Sequence, residues 1–189
     1  MKANNTPSTM NANNIHVNNI VATLNERNEI RHNIELPALA AISKTATKFD
    51  GKVFNRRFTA AVTKTLESNA NRITVAFRQK YDGTTEYDII RVHYCYNGKY
   101  SEFSIYPDRI GIKDYTDNAG RLVAEKLIET CKQHIAATLD NIQADENAIN
   151  RAPEFVARVE ALQAEVEAIN KDFPLSLRAR FTGNIDFRR

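Results

Sequence analysis

The sequence predicts an α+β fold: N-terminal helices, a three-stranded antiparallel β-meander, then a long antiparallel helical hairpin of coiled-coil character. Three observations predict it. Apolar residues recur at helical spacing from Ile15 to Leu66, the period changes to two between Ile73 and Ile105, and a helical period returns from Leu127 to Phe173. A length of 189 residues suits one domain with an appendage, and 42% hydrophobic with 26% charged side chains is ordinary for a globular chain. The expected organisation is a flexible segment over 1–13, an α+β core over 14–140, the remainder of the helical hairpin over 141–173 and a basic tail over 174–189.

The opening stretch MKANNTPSTMNAN is rich in Asn, Ser and Thr and has almost no apolar anchor, so it is expected to be flexible. Val17, Ile20, Val21 and Leu24 then share one helical face. Pro37 is expected to open a second short helix carrying Leu39, Ala40 and Ile42. A third follows Asp50, with Phe54, Phe58, Ala61, Val62 and Leu66 on one side and Lys52, Arg56 and Lys64 on the other.

Strands follow. Ile73, Val75 and Phe77 alternate with polar or small residues up to Asp82-Gly83, and YDIIRVHYCY is separated from KYSEFSIY by Asn97-Gly98, a strong signal for a two-residue hairpin turn. With that turn, opposed residues have numbers summing to 195, so Val92 faces Phe103 and Ile90 faces Ile105. Treating Asp82-Gly83 as a second two-residue turn gives a sum of 165, so Val75 is expected opposite Ile90 and Ile73 opposite Val92. Both registers send Ile73, Val75, Phe77, Ile90, Val92, Tyr94, Phe103 and Ile105 to a common face. The other face then holds Arg78, Lys80, Tyr87, Arg91, His93, Cys95, Tyr100, Glu102 and Tyr106, with His93 opposite Glu102.

After Pro107 a long helix is expected, capped by Asp114 and Asp117, with an apolar set at Leu127, Ile128, Cys131, Ile135, Leu139, Ile142 and Ile149. Asn150-Arg151-Ala152-Pro153 is expected to interrupt it and to begin a second arm. There Phe155, Val159, Leu162, Val166, Ile169 and Phe173 make a heptad seam flanked by Glu160, Glu165 and Glu167. The order helix, three strands, helix over 52–140 resembles the topology of double-stranded-RNA-binding domains. Those domains carry lysines at the start of the last helix, where this chain has Asp114, Tyr115, Thr116, Asp117 and Asn118, so the resemblance ends at topology.

Charge is unevenly spread. Residues 1–51 carry +5 −4 = +1, 52–113 carry +11 −6 = +5, 114–170 carry +5 −11 = −6 and 171–189 carry +5 −2 = +3, which sum to the net +3. No apolar run approaches the roughly 18 residues of a membrane span, the N-terminus lacks the apolar core of a secretion signal, and Cys95 and Cys131 have no disulfide or metal spacing. A cytoplasmic protein with reduced thiols, or a virion component if the source is a phage, is the expectation; the Asn-rich composition fits a phage or mobile element.

Catalytic motifs are missing: no phosphate-binding glycine loop, H-E-x-x-H or S-x-x-K pattern occurs. His93 and Glu102 have the types of a base and its orienter, but a cross-strand ion pair is the simpler reading. Cys131 and His134 form C-x-x-H without a second ligand pair, and Cys131 fits the apolar seam; Asp114 and Asp117 read as helix caps. We therefore expect no catalytic, cofactor or metal site. The leading expectation is a structural or assembly protein that docks through its helical arms and termini onto itself or other subunits. Phe181 and Phe187, with Arg178, Arg180 and Arg188, are its partner-binding candidates. The alternative is a nucleic-acid-binding accessory protein using Arg78, Lys80, Arg91, Tyr87 and Tyr100 on the polar sheet face, aided by the basic tail.

Overall fold

The computed structural model of the chain describes residues 9–48, 54–81, 86–106 and 120–172, with side chains over 15–48, 56–76, 90–106 and 124–172. Its elements are helix α1 (Thr9–Ile30), a π-helical turn (Arg31–Glu35), helices α2 (Leu36–Ala46) and α3 (Phe54–Leu66), strands β1 (Asn71–Tyr81), β2 (Glu86–Tyr96) and β3 (Lys99–Ile105), and helix α4 (Gly120–Lys171). The α+β class with a three-stranded antiparallel sheet in the order β1-β2-β3 is as the sequence predicts. The basic tail and the Asp114–Asp117 cap lie outside the described residues. The chain divides into two compact units, a sheet unit of Glu29–Ile142 and a helical unit of Met1–Asn28 with Gln143–Arg189.

Asn97 (φ 48°) and Gly98 (φ 76°) both occupy the left-handed region, which is the I′ geometry that matches the twist of a hairpin. The space around Gly98 is open, so φ alone favours glycine there. Pairing across this turn follows the expected sum of 195, with Val92 opposite Phe103 and Ile90 opposite Ile105. The β1–β2 register differs from the sequence reading. Val75 lies opposite Val92 and Phe77 opposite Ile90, a sum of 167, because the last pair is Tyr81 with Glu86 and the connection takes four residues, 82–85. A shift of two preserves side-chain parity, which is why the hydrophobic face is correct although the turn length is not.

That face is buried. Ile90, Val92 and Ile105 are fully enclosed, and with Ile73, Val75 and Tyr94 they share one core with Ile34, with Ala38, Leu39, Ile42 and Ala46 of α2, with Phe58, Val62 and Leu66 of α3, and with Leu127 and Cys131 of α4. Thr59 pins α3 to β1: its hydroxyl oxygen accepts from the Val75 N–H (3.1 Å) and the hydroxyl donates to the Val75 carbonyl (3.3 Å). Both exchanges occupy backbone groups on an outer strand that would otherwise invite another strand to pair.

Two helical expectations need revision. Pro37 stands in the first turn of α2, followed by Leu39, Ala40 and Ile42 as expected, but α1 and the π turn run into that helix without a break from Thr9 to Ala46. Pro37 has no N–H to give the Asn33 carbonyl, and its ring would press on that carbonyl in a regular helix. The π turn widens the backbone there, with the Leu36 N–H reaching the Arg31 carbonyl, and the Asn69 side-chain amide donates to the freed Asn33 carbonyl at 3.2 Å. α1 also begins at Thr9, inside the stretch expected to be flexible.

The second correction concerns the C-terminal hairpin, which does not form. α4 is one helix of 52 residues with Pro153 inside it. The two stretches of α4 pack on other elements instead of on each other. Leu127, Cys131, Ile128 and Ile135 pack in the sheet unit, whereas Ala148, Ala152, Ile149, Phe155 and Val156 pack with Val17, Ile20, Val21 and Leu24 of α1. Arg27 meets Asp145 at 4.0 Å while Val17 lines a hollow with Ala152 and Val156, so α1 and this part of α4 run antiparallel. The small side chains of Ala148 and Ala152, one turn apart and both buried, permit a close approach across the proline.

Candidate functional site

The polar side of the sheet is where the structure gathers chemistry-bearing side chains. β2 and β3 place His93 opposite Glu102 and Arg91 opposite Ser104. One carboxylate serves two neighbours: Glu102 Oε2 lies 3.1 Å from His93 Nδ1, and Glu102 Oε1 accepts from Arg91 Nη1 at 3.5 Å. With His93 and Glu102 side chains 37% and 45% exposed, this is a cross-strand contact of small energetic weight, between residues the sequence places opposite each other, on a face open to solvent. Arg91 Nε is shielded and has no hydrogen-bond partner among the described residues. An acceptor oxygen brought there by a ligand would satisfy it.

Beside this group stands a feature that the alternation pattern does not reveal. The β1–β2 register slips between Asn71 and Thr74, and Arg72 sits in the slip at φ 52°. A non-glycine residue in that conformation costs on the order of 1–2 kcal/mol. The bulge re-aims Arg72 so that its guanidinium carbon lies 5.2 Å from the centre of the Tyr100 ring. Tyr100 is nevertheless 65% exposed, and Tyr106 further along is 54% exposed. On this face Arg72 and Arg91 against Glu102 give +2 −1 = +1.

Of the expected nucleic-acid residues, Arg91 and Tyr100 are thus brought to the same face, Arg91 half-buried and tied to Glu102, Tyr100 open. The backbone register pairs Arg78 with Ile89 and Lys80 with Tyr87, and the side chains of Arg78, Lys80 and Tyr87 lie outside the described residues. Phe181, Phe187, Arg178, Arg180 and Arg188 also lie outside them. Arg72 leaves little trace in the sequence; only the Asn-rich run Asn69-Ala70-Asn71 before it hints at irregular backbone.

The C-x-x-H pair has no such setting. Cys131 is fully enclosed in the sheet-unit core, and burial pushes its thiol up to about 12, the behaviour of a small core residue. Burial also lowers the pKa of His134. Among the described residues no group of three or more His, Cys, Asp or Glu could hold a metal ion, and no helix is long and apolar enough to cross a membrane. Beside the π turn, Tyr96 donates to Glu29 at 2.6 Å and accepts from Asn33 at 3.5 Å; the bond to Glu29 raises the Tyr96 pKa. This group fastens β2 to the helix carrying Glu29 and Asn33. No protein-family model, curated protein or solved structure matches the chain.

Proposed function

We propose that the protein is a non-catalytic nucleic-acid-binding protein whose open sheet face receives a single strand. The observation that carries this reading is the stack of a conformationally strained Arg72 on the exposed Tyr100 ring. An aromatic ring on an uncovered sheet offers a base a platform, and guanidinium groups beside it supply charge for the phosphates. Strain at Arg72 is stored where it holds that side chain against the ring instead of where it would help the fold.

The test is fluorescence anisotropy with a labelled single strand of about 12 nucleotides at low salt, where one such surface spans the probe. Tyr100→Ala removes a stacking platform worth about 1–3 kcal/mol per base, so affinity should fall by about 5- to 150-fold. Tyr100→Phe should retain it. Absence of binding at low salt, or Tyr100→Ala binding as tightly as the parent, removes this reading.

A second reading has its own observation. The heptad seam of α4 ends on Ile169, which is 58% exposed, close to the region before the basic tail. It supports assembly through the helical unit, with the tail residues Phe181 and Phe187 as anchors. A monomer by light scattering at high concentration, with no partner recovered, speaks against it.

A further inference from the structure

We infer that the groove between α2 and α3 is a second, sequence-independent docking site for the phosphate backbone of a nucleic acid. The two helices are neighbours joined through residues 49–53, and the Arg57 guanidinium donates to the Lys48 carbonyl at 3.1 Å where they meet. Between them lies an open hollow of about 660 Å³. Its rim carries Lys44, Lys48, Arg57 and Lys64, and its floor is made by Ala41, Ala60 and Ala61. Among the described residues no carboxylate lines it. Over residues 36–66 the sequence holds six cations (Lys44, Lys48, Lys52, Arg56, Arg57, Lys64) against Asp50 alone, +6 −1 = +5, which exceeds the net +3 of the whole chain.

Cations gathered round one concavity repel each other, and an anion entering it relieves that repulsion. Spacing indicates an extended anion. Lys44 stands in the last turn of α2 and Lys48 just beyond it, while Arg57 and Lys64 are separated by a rise of about 10 Å along α3. A span of that length exceeds a single phosphate group and suits successive phosphates of a nucleic-acid strand. The groove has alanine methyls where a protein partner would need deep pockets for large anchors, so an acidic helix finds little to bury. It is concave and has no large apolar side chain at its rim, so a lipid surface finds nothing to insert. The hydroxyls of Thr45 and Thr65 donate to the Ala41 and Ala61 carbonyls at 2.7 and 2.9 Å, which leaves recognition to charge. A polyphosphate backbone needs only that charge and a floor it can approach. This site shares its ligand class with the sheet face but rests on separate residues.

A duplex separates the two sites, because paired bases cannot stack on Tyr100. Binding of a labelled DNA duplex is measured against salt for the full chain, for K44A/K48A/K64A and for Tyr100→Ala. The parent should bind with a steep salt dependence, and the triple variant should have a log–log slope shallower by about 2–3, at about 0.9 for each phosphate no longer neutralised. Tyr100→Ala should leave duplex affinity and slope unchanged. The three lysines are exposed, so an unaltered melting curve shows that the fold persists. No duplex binding at low salt, or an unchanged slope in the triple variant, overturns the groove site even if single strands still bind the sheet. Sedimentation with phosphatidylserine vesicles supplies the remaining arm: lysine-dependent vesicle binding without duplex binding makes the groove a membrane-binding surface and overturns the inference.

Discussion

The sheet unit and the helical unit are held together on different scales. In the sheet unit, Phe58, Ile34, Leu39, Ile42, Leu66, Ile90, Ile105 and Leu127 are all enclosed to within 2% of full burial, contributed by four helical segments and the sheet. In the helical unit the buried cluster is Val17, Leu24, Ala148 and Ala152, with Ile20, Val21, Ile149, Phe155 and Val156 partly covering it. Apolar burial stabilises by roughly 25 cal/mol per Å², so two helices meeting over alanines gain far less than a sheet covered by helices. The ion pair of Arg27 with Asp145, at 4.0 Å and with Arg27 half exposed, adds little. The comparison teaches a division of labour: one unit has a core large enough to carry a strained arginine on its surface, and the other rests on a small contact between two helices.

The largest effect should come from cutting the larger core. Phe58→Ala empties a site that is 2% exposed and should cost about 3–5 kcal/mol in global stability by denaturant titration. Leu24→Ala, at 3% exposure, should cost nearer about 2 kcal/mol, because a pair of helices can close round the gap. Native-state hydrogen exchange sharpens the contrast. Leu24→Ala should speed exchange in α1 and in α4 beyond Gln143 while leaving β2 protected. Equal loss of protection in β2 would mean that the two units unfold as one.

How much of this was legible in the sequence also differs between the units. The meander was legible because period two, an Asn-Gly turn and one apolar face constrain each other, so even a turn misjudged by two residues could not move Val75 or Ile90 to the wrong side. Helix runs through both prolines for one reason. A proline forbids one hydrogen bond, but whether the helix ends depends on who takes the orphaned carbonyl and what packs across the site. Asn69 and the π turn answer for Pro37, and the apposed α1 for Pro153; neither is near in sequence. The apolar periodicity of α4 was visible, but not whether its partner was itself or α1. At the candidate sites the exposed Tyr100 and the pairing of His93 with Glu102 followed from register. Arg72 did not, since nothing local marks an arginine for positive φ, and the α2–α3 groove required two helices to be brought side by side.

Pro153 offers the next measurement. As an interior proline it costs α4 up to about 3 kcal/mol of helix stability, and Ala152 and Val156 beside it already tolerate regular helix. Pro153→Ala should therefore raise the melting temperature of the helical unit, with the gain reduced by the packing that the proline ring gives the hollow lined by Val17 and Val21. In a hairpin the same change would remove the break on which the turn depends. A lower melting temperature would argue for a bent C-terminal arm and would merge the contrast between units into one antiparallel bundle.

The smallest expected effect is on pH. The described groups with displaced pKa values that bear on acid and neutral stability, Glu35 and His134, both belong to the sheet unit. Burial lowers the His134 value, so the unfolded chain takes up the proton first. Its full contribution is present above the unfolded value of about 6.5 and is lost as pH falls through the lower folded value. Glu35 has the opposite sign: burial raises its value against the partial relief of Arg31, so its contribution is present below the unfolded value of about 4.3 and is lost as pH rises through the folded one. Glu35→Gln should then raise the melting temperature at neutral pH, and His134→Gln should flatten its decline below about pH 6.5. If neither variant changes the pH profile while sheet-unit unfolding is monitored, the two side chains are solvated more fully than their packing indicates. The advantage of the sheet unit would then rest on its apolar core alone.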